Sequence, residues 1–229
     1  MTLPGQISGP KELARFVDYL LLHPHVTKDE LARVCASASE LGLGGICVHT
    51  SRLAQVYHLL EDSGVKIIAA IGFPFGAADA DVKRYETELA VDNDAHFIEA
   101  VANVGRIKDG DRGYVLREFR DLVEAADERP VSVIIEAPLL TRSEIETVCN
   151  LALEAGCKGI TTSTGMDGRV ARPEDVRSIK EIVGEKFGVK AVGGIANGAA
   201  ALAMLDAGAT RIGLSGVKEV LDSLEPRGR

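Results

Sequence analysis

The sequence contains no tryptophan, and aromatic residues account for only 4% of its 229 residues. A broad binding surface built on aromatic anchors is therefore not indicated, whereas the abundance of alanine and glycine suits tightly packed α/β layers. No apolar run approaches the roughly 20 residues that a membrane-spanning helix needs, and no basic N-terminal region precedes an apolar stretch. We therefore expect a cytoplasmic protein that is neither secreted nor inserted into a membrane.

Positive charge is also scarce, since 26 Lys and Arg residues stand against 34 Asp and Glu residues, for a formal net charge of −8. This balance argues against nucleic acid or an anionic membrane as the main partner. It still permits a small anionic substrate in a locally positive pocket.

Cysteine spacing gives no sign of a metal site or a redox motif. The four cysteines, Cys35, Cys47, Cys149 and Cys157, form no CxxC pair and no zinc-like pattern, so free thiols are expected. The carboxylates and the histidine near the predicted site lack metal-type spacing as well, and Lewis-acid chemistry is kept only as an alternative. We predict no metal and no cofactor.

No low-complexity or Pro/Ser-rich segment divides the chain, which predicts a single domain over residues 1–229. Apolar periodicity alternates between helix-like and strand-like stretches, beginning with a short N-terminal helix. Eight short apolar strands separated by helices predict an α/β fold, a (β/α)8 TIM barrel. An open doubly wound sheet is the alternative, but no GxGxxG follows the first strand. The predicted strands are 17–21, 46–49, 65–71, 96–102, 131–137, 158–163, 189–192 and 211–214.

Three helix starts can be predicted from capping residues. Thr27 and Ser51 are expected to be the N-caps of the second and third helices. Pro173, followed by two acidic residues, predicts another helix start.

Catalytic groups of such barrels lie at the C-terminal ends of the strands. The polar or reactive residues at the predicted strand ends are therefore the candidates for a site. They are Asp18, Cys47, His49, Glu99, Glu136, Thr161, Ser163, Lys190 and Ser215.

Small residues lie at or just after the ends of the last three strands, as in the phosphate-binding loops of many barrels. The glycines among them are Gly165, Gly193, Gly194, Gly213 and Gly216. Their backbone N–H groups can approach an anion, and equally they can be turn glycines that need a positive φ. Together with Cys47, His49, Ser163 and Ser215 they form the predicted substrate-binding set.

Several short motifs, in order along the chain, resemble the deoxyribose-phosphate aldolase family, class I aldolases built on a (β/α)8 barrel. The similarity begins with DYLL at 18–21 and ends with TRIGLS at 210–215. Between them lie ICV at 46–48, GFPFGA at 72–77, VIIE at 133–136, TSTG at 162–165 and KAVGGI at 190–195. The resemblance implies a C–C lyase acting on a small sugar phosphate, and it is compatible with a homodimer.

The departures from the family pattern fall in the active site. The resemblance places the family's Schiff-base lysine at Thr161, its proton-relay aspartate at Glu99 and a further lysine at Ser132. Three more positions differ, namely Tyr19 and Leu20 in place of an early histidine and threonine, and Gly216 in place of the second serine of the phosphate loop.

A class I aldolase needs a neutral amine that forms an imine with the carbonyl, and Thr161 cannot supply one. Lys190, on the neighbouring strand, is the inward-facing lysine that can reach a carbonyl held over Thr161. The alternative is that Lys190 is a cation paired with Glu99 or Glu136, or an anion binder. Loss of its cationic neighbours also removes one cause of a lowered pKa.

The carboxylates have two possible roles. Glu99 is the predicted general acid/base, and Asp18 and Glu136 are predicted orienting partners. The alternative for each is a buried structural carboxylate. His49 is either an acid/base or a loop-capping residue, and Cys47 is expected to be a packed wall residue.

The leading hypothesis is therefore an aldolase-like lyase that makes or breaks a C–C bond beside a carbonyl. Lys190 would be the nucleophile or electrostatic stabiliser and Glu99 the acid/base, on a small phosphorylated or polyhydroxylated substrate. The second hypothesis is an imine-independent isomerase, dehydratase or cyclase of a specialised pathway that uses carboxylate chemistry. The third is a non-catalytic sugar-phosphate-binding protein.

Overall fold

The computed structural model describes residue 7 and residues 9–224. Eight parallel strands follow one another around a closed barrel in chain order, which confirms the predicted TIM barrel. The strands are β1 (Val17–Leu21), β2 (Gly45–His49), β3 (Lys66–Ile71), β4 (Phe97–Val101), β5 (Val131–Ile134), β6 (Gly159–Thr161), β7 (Gly188–Val192) and β8 (Arg211–Leu214).

Helices cover the outside of the barrel, and a short helix precedes the first strand as predicted. Within the described residues, no helix is long and apolar enough to cross a membrane. The helices are α1 (Pro10–Ala14), α2 (Lys28–Leu41), α3 (Leu53–Leu60), α4 (Ala80–Asp92), α5 (Val104–Lys108), α6 (Arg112–Ala125), α7 (Arg142–Ala155), α8 (Pro173–Val183), α9 (Gly198–Asp206) and α10 (Val217–Asp222).

Side-chain caps explain most of the helix starts. The Thr27 hydroxyl accepts from Glu30 N at 3.2 Å at the start of α2, and α8 begins at Pro173. The N-cap predicted at Ser51 is wrong, because Ser51 lies inside a 3-10 turn, Thr50–Arg52, and α3 begins only at Leu53. The helix α5 was not predicted, since it is one short turn capped by Asn103.

Strands β5 and β6 are shorter than predicted. Glu136 adopts a left-handed conformation with φ 52° and ψ 53°, which a strand cannot contain, and a 3-10 turn follows at Ala137–Leu139. After β6, Thr162 and Ser163 direct their hydroxyls to the carbonyl oxygen of Val192 instead of extending the strand. Both departures fall at the C-terminal end of the barrel, where irregular backbone shapes the site.

The parallel register determines which inward-facing residues of neighbouring strands lie at the same height along the barrel axis. Thr161 is paired with Lys190, and Lys190 with Arg211, on adjacent strands. On the other side of β8, Asp18 of β1 pairs with Gly213. Neighbouring strands lie about 4.8 Å apart, so long side chains at this level meet across the barrel interior.

A buried ion pair ties α4 to α6 outside the strands. Lys83 and Glu118 are both fully buried, with 2.6 Å between Nζ and Oε1. Lys83 Nζ also donates to the carbonyl of Val101 at 2.7 Å, and Glu118 Oε2 accepts from Asn103 N at 3.2 Å. The pair therefore fixes the end of β4 relative to two helices.

Candidate active site

Lys190 lies at the centre of a buried polar network inside the barrel. Its Nζ is 2.8 Å from Glu99 Oε2 and 3.0 Å from Asp18 Oδ2. Arg211 Nε donates to the same Asp18 oxygen at 2.9 Å, and a second guanidinium nitrogen pairs with Asp18 Oδ1. Three strands on one side of the barrel and β4 on the other thus contribute charges to one cluster.

The charges of this network hold each other in the ionised state. Burial alone would lower the pKa of Lys190, but the carboxylates of Asp18 and Glu99 outweigh it and raise that pKa above its ordinary value. Burial alone would raise the pKa of Asp18, yet Lys190 and Arg211 lower it overall. Lys190 is therefore an ammonium and Asp18 a carboxylate at neutral pH.

Thr161 extends the network toward β5. Its hydroxyl donates to Glu99 Oε1 at 2.9 Å, and its Oγ1 is 3.2 Å from Ser132 Oγ. The Cys47 thiol is 3.7 Å from Glu99 Oε2, and burial, together with the Glu99 charge, keeps the pKa of Cys47 well above the ordinary value. Cys47 is thus a neutral wall residue, and Thr161 orients one oxygen of Glu99.

Glu136 and His49 lie outside this network, so the prediction that Glu136 is an orienting partner of Glu99 and Lys190 is not met. Glu136 Oε1 accepts from Thr164 N at 2.7 Å, and its other oxygen is 3.3 Å from Arg169 Nη1. His49 Nε2 is 3.0 Å from the carbonyl oxygen of Leu22, the capping role considered above as the alternative. The left-handed turn at Glu136 aims its side chain at the loop after β6 instead of at Lys190.

The second feature is a cavity of about 320 Å³ at the C-terminal end of the barrel, here called the C-terminal cavity. Ser163 lies outside its lining, and its hydroxyl donates to the carbonyl of Val192 at 2.7 Å. The other predicted loop residues do line it, namely Gly165, Gly193, Gly194, Gly213, Ser215 and Gly216. The structure therefore brings these residues together, while their role in binding substrate stays a prediction.

Close packing also requires some of these glycines. Gly193 and Gly194 have φ of 94° and 73°. A Cβ on either would collide with the loop after β6, on the carbonyl oxygen of Arg169 and the side chain of Val170 respectively. The glycines thus let this loop lie against the end of β7, whatever the cavity binds.

Leu20 and Val192 form the floor of the C-terminal cavity above Lys190. Each follows a network residue, Asp18 or Lys190, by two positions on its strand, and both line the cavity. A Cβ on Gly213 would lie 2.7 Å from Val192 Cγ2 and 3.1 Å from both Leu20 Cδ1 and Lys190 Cε. The absence of a side chain on Gly213 therefore lets these three side chains meet.

A smaller cavity of about 140 Å³ opens at the N-terminal end of the barrel. Its lining includes Asp18, Glu99 and Lys190, and it passes Gly159 and Gly188. Strands β6 and β7 each carry a glycine at this end, which leaves part of the space there unfilled.

Sequence reasoning did not single out Arg211 or Leu20 as site residues. Arg211 is two residues before Gly213 on β8, so the inward alternation of that strand was the signal that could have revealed it. Among the described residues, no group of three His, Cys, Asp or Glu side chains is placed to hold a metal ion.

Comparison with known proteins gives one consistent family. No protein-family model matches the chain. The chain is 40% identical over 217 residues to the deoxyribose-phosphate aldolase of Aciduliprofundum boonei, covering 94% of this chain and 98% of that protein. It is 40% identical over 215 residues to deoxyribose-phosphate aldolase 1 of Bacillus licheniformis, covering 93% of this chain and 96% of that protein.

Solved structures agree with the sequence relatives. The tetrameric deoxyribose phosphate aldolase of Aeropyrum pernix superimposes with a TM-score of 0.89 at 29% identity, covering 96% of this chain and 93% of that one. An aldolase called QR15 gives a TM-score of 0.88 at 30% identity, covering 92% and 95% of the two chains. The chain belongs to the deoxyribose-phosphate aldolase family.

Proposed function

We propose that this chain carries out the aldolase-type lyase reaction of its family with Lys190 as an electrostatic stabiliser, and without an imine. The observation that carries the proposal is the position of Lys190 Nζ, 2.8 Å and 3.0 Å from two carboxylates. The substrate would be a small polyhydroxylated or phosphorylated carbonyl compound. The relatives' names, which specify a deoxyribose phosphate, support this class.

The protonation of Lys190 supports the role of electrostatic stabiliser over that of imine-forming nucleophile. Imine formation requires a neutral amine. Here Asp18 and Glu99 overcome the effect of burial and raise the pKa of Lys190, which disfavours the neutral form at physiological pH. A fixed ammonium in a buried site is instead suited to stabilising a developing oxyanion.

The cleavage step can be written with these groups. Glu99 accepts the proton of the hydroxyl on the carbon at the far side of the bond to be broken, and that C–O bond becomes a carbonyl. The C–C bond breaks, and its electron pair forms an enolate whose oxygen carries the negative charge. The Lys190 ammonium stabilises this enolate. A proton carried by Glu99 then passes to the enolate carbon.

The remaining network residues position these groups. Asp18 holds the ammonium of Lys190 from β1, and Arg211 holds Asp18 in turn. Thr161 donates to Glu99 Oε1, which leaves the other carboxylate oxygen beside Lys190. The substrate approaches from the C-terminal cavity, and we infer that Leu20 turns aside to admit its carbonyl.

The test compares two substitutions of Lys190. Lys190→Arg keeps a cation that cannot form an imine, whereas Lys190→Met removes the charge. We expect Arg to retain measurable C–C cleavage or synthesis and Met to lose at least about 100-fold, as for other groups that stabilise an oxyanion. Borohydride treatment during turnover, followed by mass analysis, should show no adduct. An adduct on Lys190, or equal loss in both variants, would refute the role.

A second candidate function is an imine-independent isomerase. It is favoured by the hydrogen bond from Thr161 to Glu99, because proton transfer beside a carbonyl is also the first step of enolisation. Product analysis separates the two, since isomerisation conserves the number of carbon atoms whereas aldol cleavage releases two smaller carbonyl compounds. No turnover of any compound in a broad aldehyde and sugar-phosphate panel would favour a non-catalytic binding protein.

A further inference from the structure

The lining of the C-terminal cavity includes a carboxylate, that of the exposed residue Glu219, at the place where a phosphate is expected. Glu219, in the first turn of α10, lines this cavity together with Ser215 and Gly216. Its Oε2 would lie 3.3 Å from a Cβ built on Gly216, so the carboxylate lies against this loop. The family resemblance assigns this same loop to phosphate binding, and Glu219 has the wrong charge for that ligand.

Nothing in the described lining compensates this negative charge. No Lys or Arg is among the described residues that line the cavity, and His23 is the remaining ionisable side chain there. The helix α10 has only six residues, and Glu219 already occupies its positive end. A phosphate dianion would therefore meet a carboxylate without a compensating cation from the described lining.

Apolar side chains form part of the remaining wall. Leu22, Phe73, Met166 and Ile195 line the cavity beside backbone groups of the glycine loops. Such a wall suits the carbon skeleton of a small substrate, and the carboxylate of Glu219 can accept hydrogen bonds from a hydroxyl group. Polar groups in a mainly apolar pocket usually fix the orientation of the ligand.

We propose that the distal end of the substrate is an uncharged hydroxyl group bound by Glu219, and that the enzyme prefers unphosphorylated hydroxy-carbonyl compounds over their phosphate esters. This inference rests on the proposed aldolase function and adds the substrate class to it. It makes Glu219 a specificity-determining residue that disfavours phosphate through like-charge repulsion.

The first experiment measures kcat/KM for a matched pair, 2-deoxyribose and its 5-phosphate, by the acetaldehyde released. We expect the unphosphorylated sugar to be favoured by at least about threefold, since like charges repel each other but solvent weakens the repulsion at the exposed Glu219. Glu219→Gln, which removes the charge and keeps the size, should reduce this preference at least about threefold. Asp222→Asn is the matched control, because it removes a charge from the same helix where Asp222 pairs with Lys218 on the exposed surface.

The second experiment does not depend on turnover. Binding of inorganic phosphate is followed by thermal shift and by isothermal titration, for the wild-type chain and the same two variants. Wild type and Asp222→Asn should bind phosphate weakly, and Glu219→Gln should bind it at least about fivefold more tightly, because the repulsion is gone.

The two proposals fail in different ways. If no compound is turned over but Glu219→Gln alone gains phosphate affinity, the aldolase proposal fails and the assignment of the cavity stands. A wild-type preference for the phosphate ester, or phosphate affinity unchanged in Glu219→Gln, would overturn the role of Glu219 even if cleavage is observed.

Discussion

Replacing Asp18 by Asn should destabilise the fold strongly, because its carboxylate is the common partner of two cations. Asp18 Oδ2 is 3.0 Å from Lys190 Nζ and 2.9 Å from Arg211 Nε, and its side chain is 1% exposed. Removing one partner of a buried ion pair costs roughly 3–5 kcal/mol. Lys190 keeps Glu99 and Arg211 is partly exposed to solvent, so we expect the lower end of that range, about 3 kcal/mol.

The measurement is urea unfolding followed by circular dichroism, with Asp222→Asn as the control. Asp222 also pairs with a cation, Lys218, at 3.2 Å, but both side chains are exposed. Exposed pairs of this kind contribute about 0–1 kcal/mol. For a chain of this length, a loss of about 3 kcal/mol corresponds to a fall in Tm of about 6–12 °C. A loss for Asp18→Asn below about 1 kcal/mol, or no larger than that of the control, would refute the reasoning.

The same variant makes a pH prediction with a definite sign. Burial alone would raise the pKa of Asp18, but Lys190 and Arg211 lower it below the ordinary value. The stability that Asp18 contributes is therefore present above its unfolded pKa of about 3.9 and is lost as the pH falls through the lower folded pKa. The difference in free energy of unfolding between wild type and Asp18→Asn should be constant above about pH 5 and shrink below about pH 4. A difference that grows toward low pH would contradict this assignment.

Three further predictions follow from other parts of the fold. Lys83→Met should lower the free energy of unfolding in urea by roughly 3–5 kcal/mol, because it leaves the fully buried Glu118 unpaired. The double variant Lys83→Met/Glu118→Leu should be more stable than Lys83→Met alone. A double variant that is no more stable than the single one would argue against the pairing. Burial raises the pKa of Cys149 to about 12, so its thiol should react with a disulfide reagent at pH 8 only after denaturant is added, and rapid reaction in the folded state would contradict this. Gly213→Ala should reduce activity and lower the free energy of unfolding by about 1–3 kcal/mol, because the added Cβ would lie 2.7 Å from Val192 Cγ2. An unchanged melting temperature would show that the barrel accommodates the methyl group without loss of stability.

The architecture was predictable from the sequence because buried parallel strands are short apolar runs, and helices lie between them. Strands β1 and β8 begin and end where the apolar pattern predicts. The pattern fails at β5, because the apolar run continues through Ile135 while the backbone turns left-handed at Glu136. The alternation of inward-facing and outward-facing residues along a strand does not reveal a single residue with positive φ. The length of β5 was therefore overestimated.

Most residues of the site could be predicted from the sequence, but the contacts that pair them with one another could not. Strand-end reasoning gathered Asp18, Glu99, Thr161 and Lys190, which the structure joins in one network. It could not tell whether Lys190 would face Glu99 or Glu136. That choice depends on the register of distant strands and on the turn at Glu136, neither of which the local sequence encodes.

The threonine at position 161 has two electrostatic consequences, and they act in the same direction. Compared with the lysine that the family resemblance places at this position, a threonine supplies no amine on β6, and it leaves Lys190 without a neighbouring lysine on that strand. A second ammonium there would lower the pKa of Lys190 by repulsion; without one, Asp18 and Glu99 raise it. The absence of a lysine at position 161 therefore removes one possible nucleophile, and it also makes Lys190 less suited to act as the nucleophile instead. Under the proposed function, the ammonium of Lys190 stabilises negative charge on an enolate oxygen.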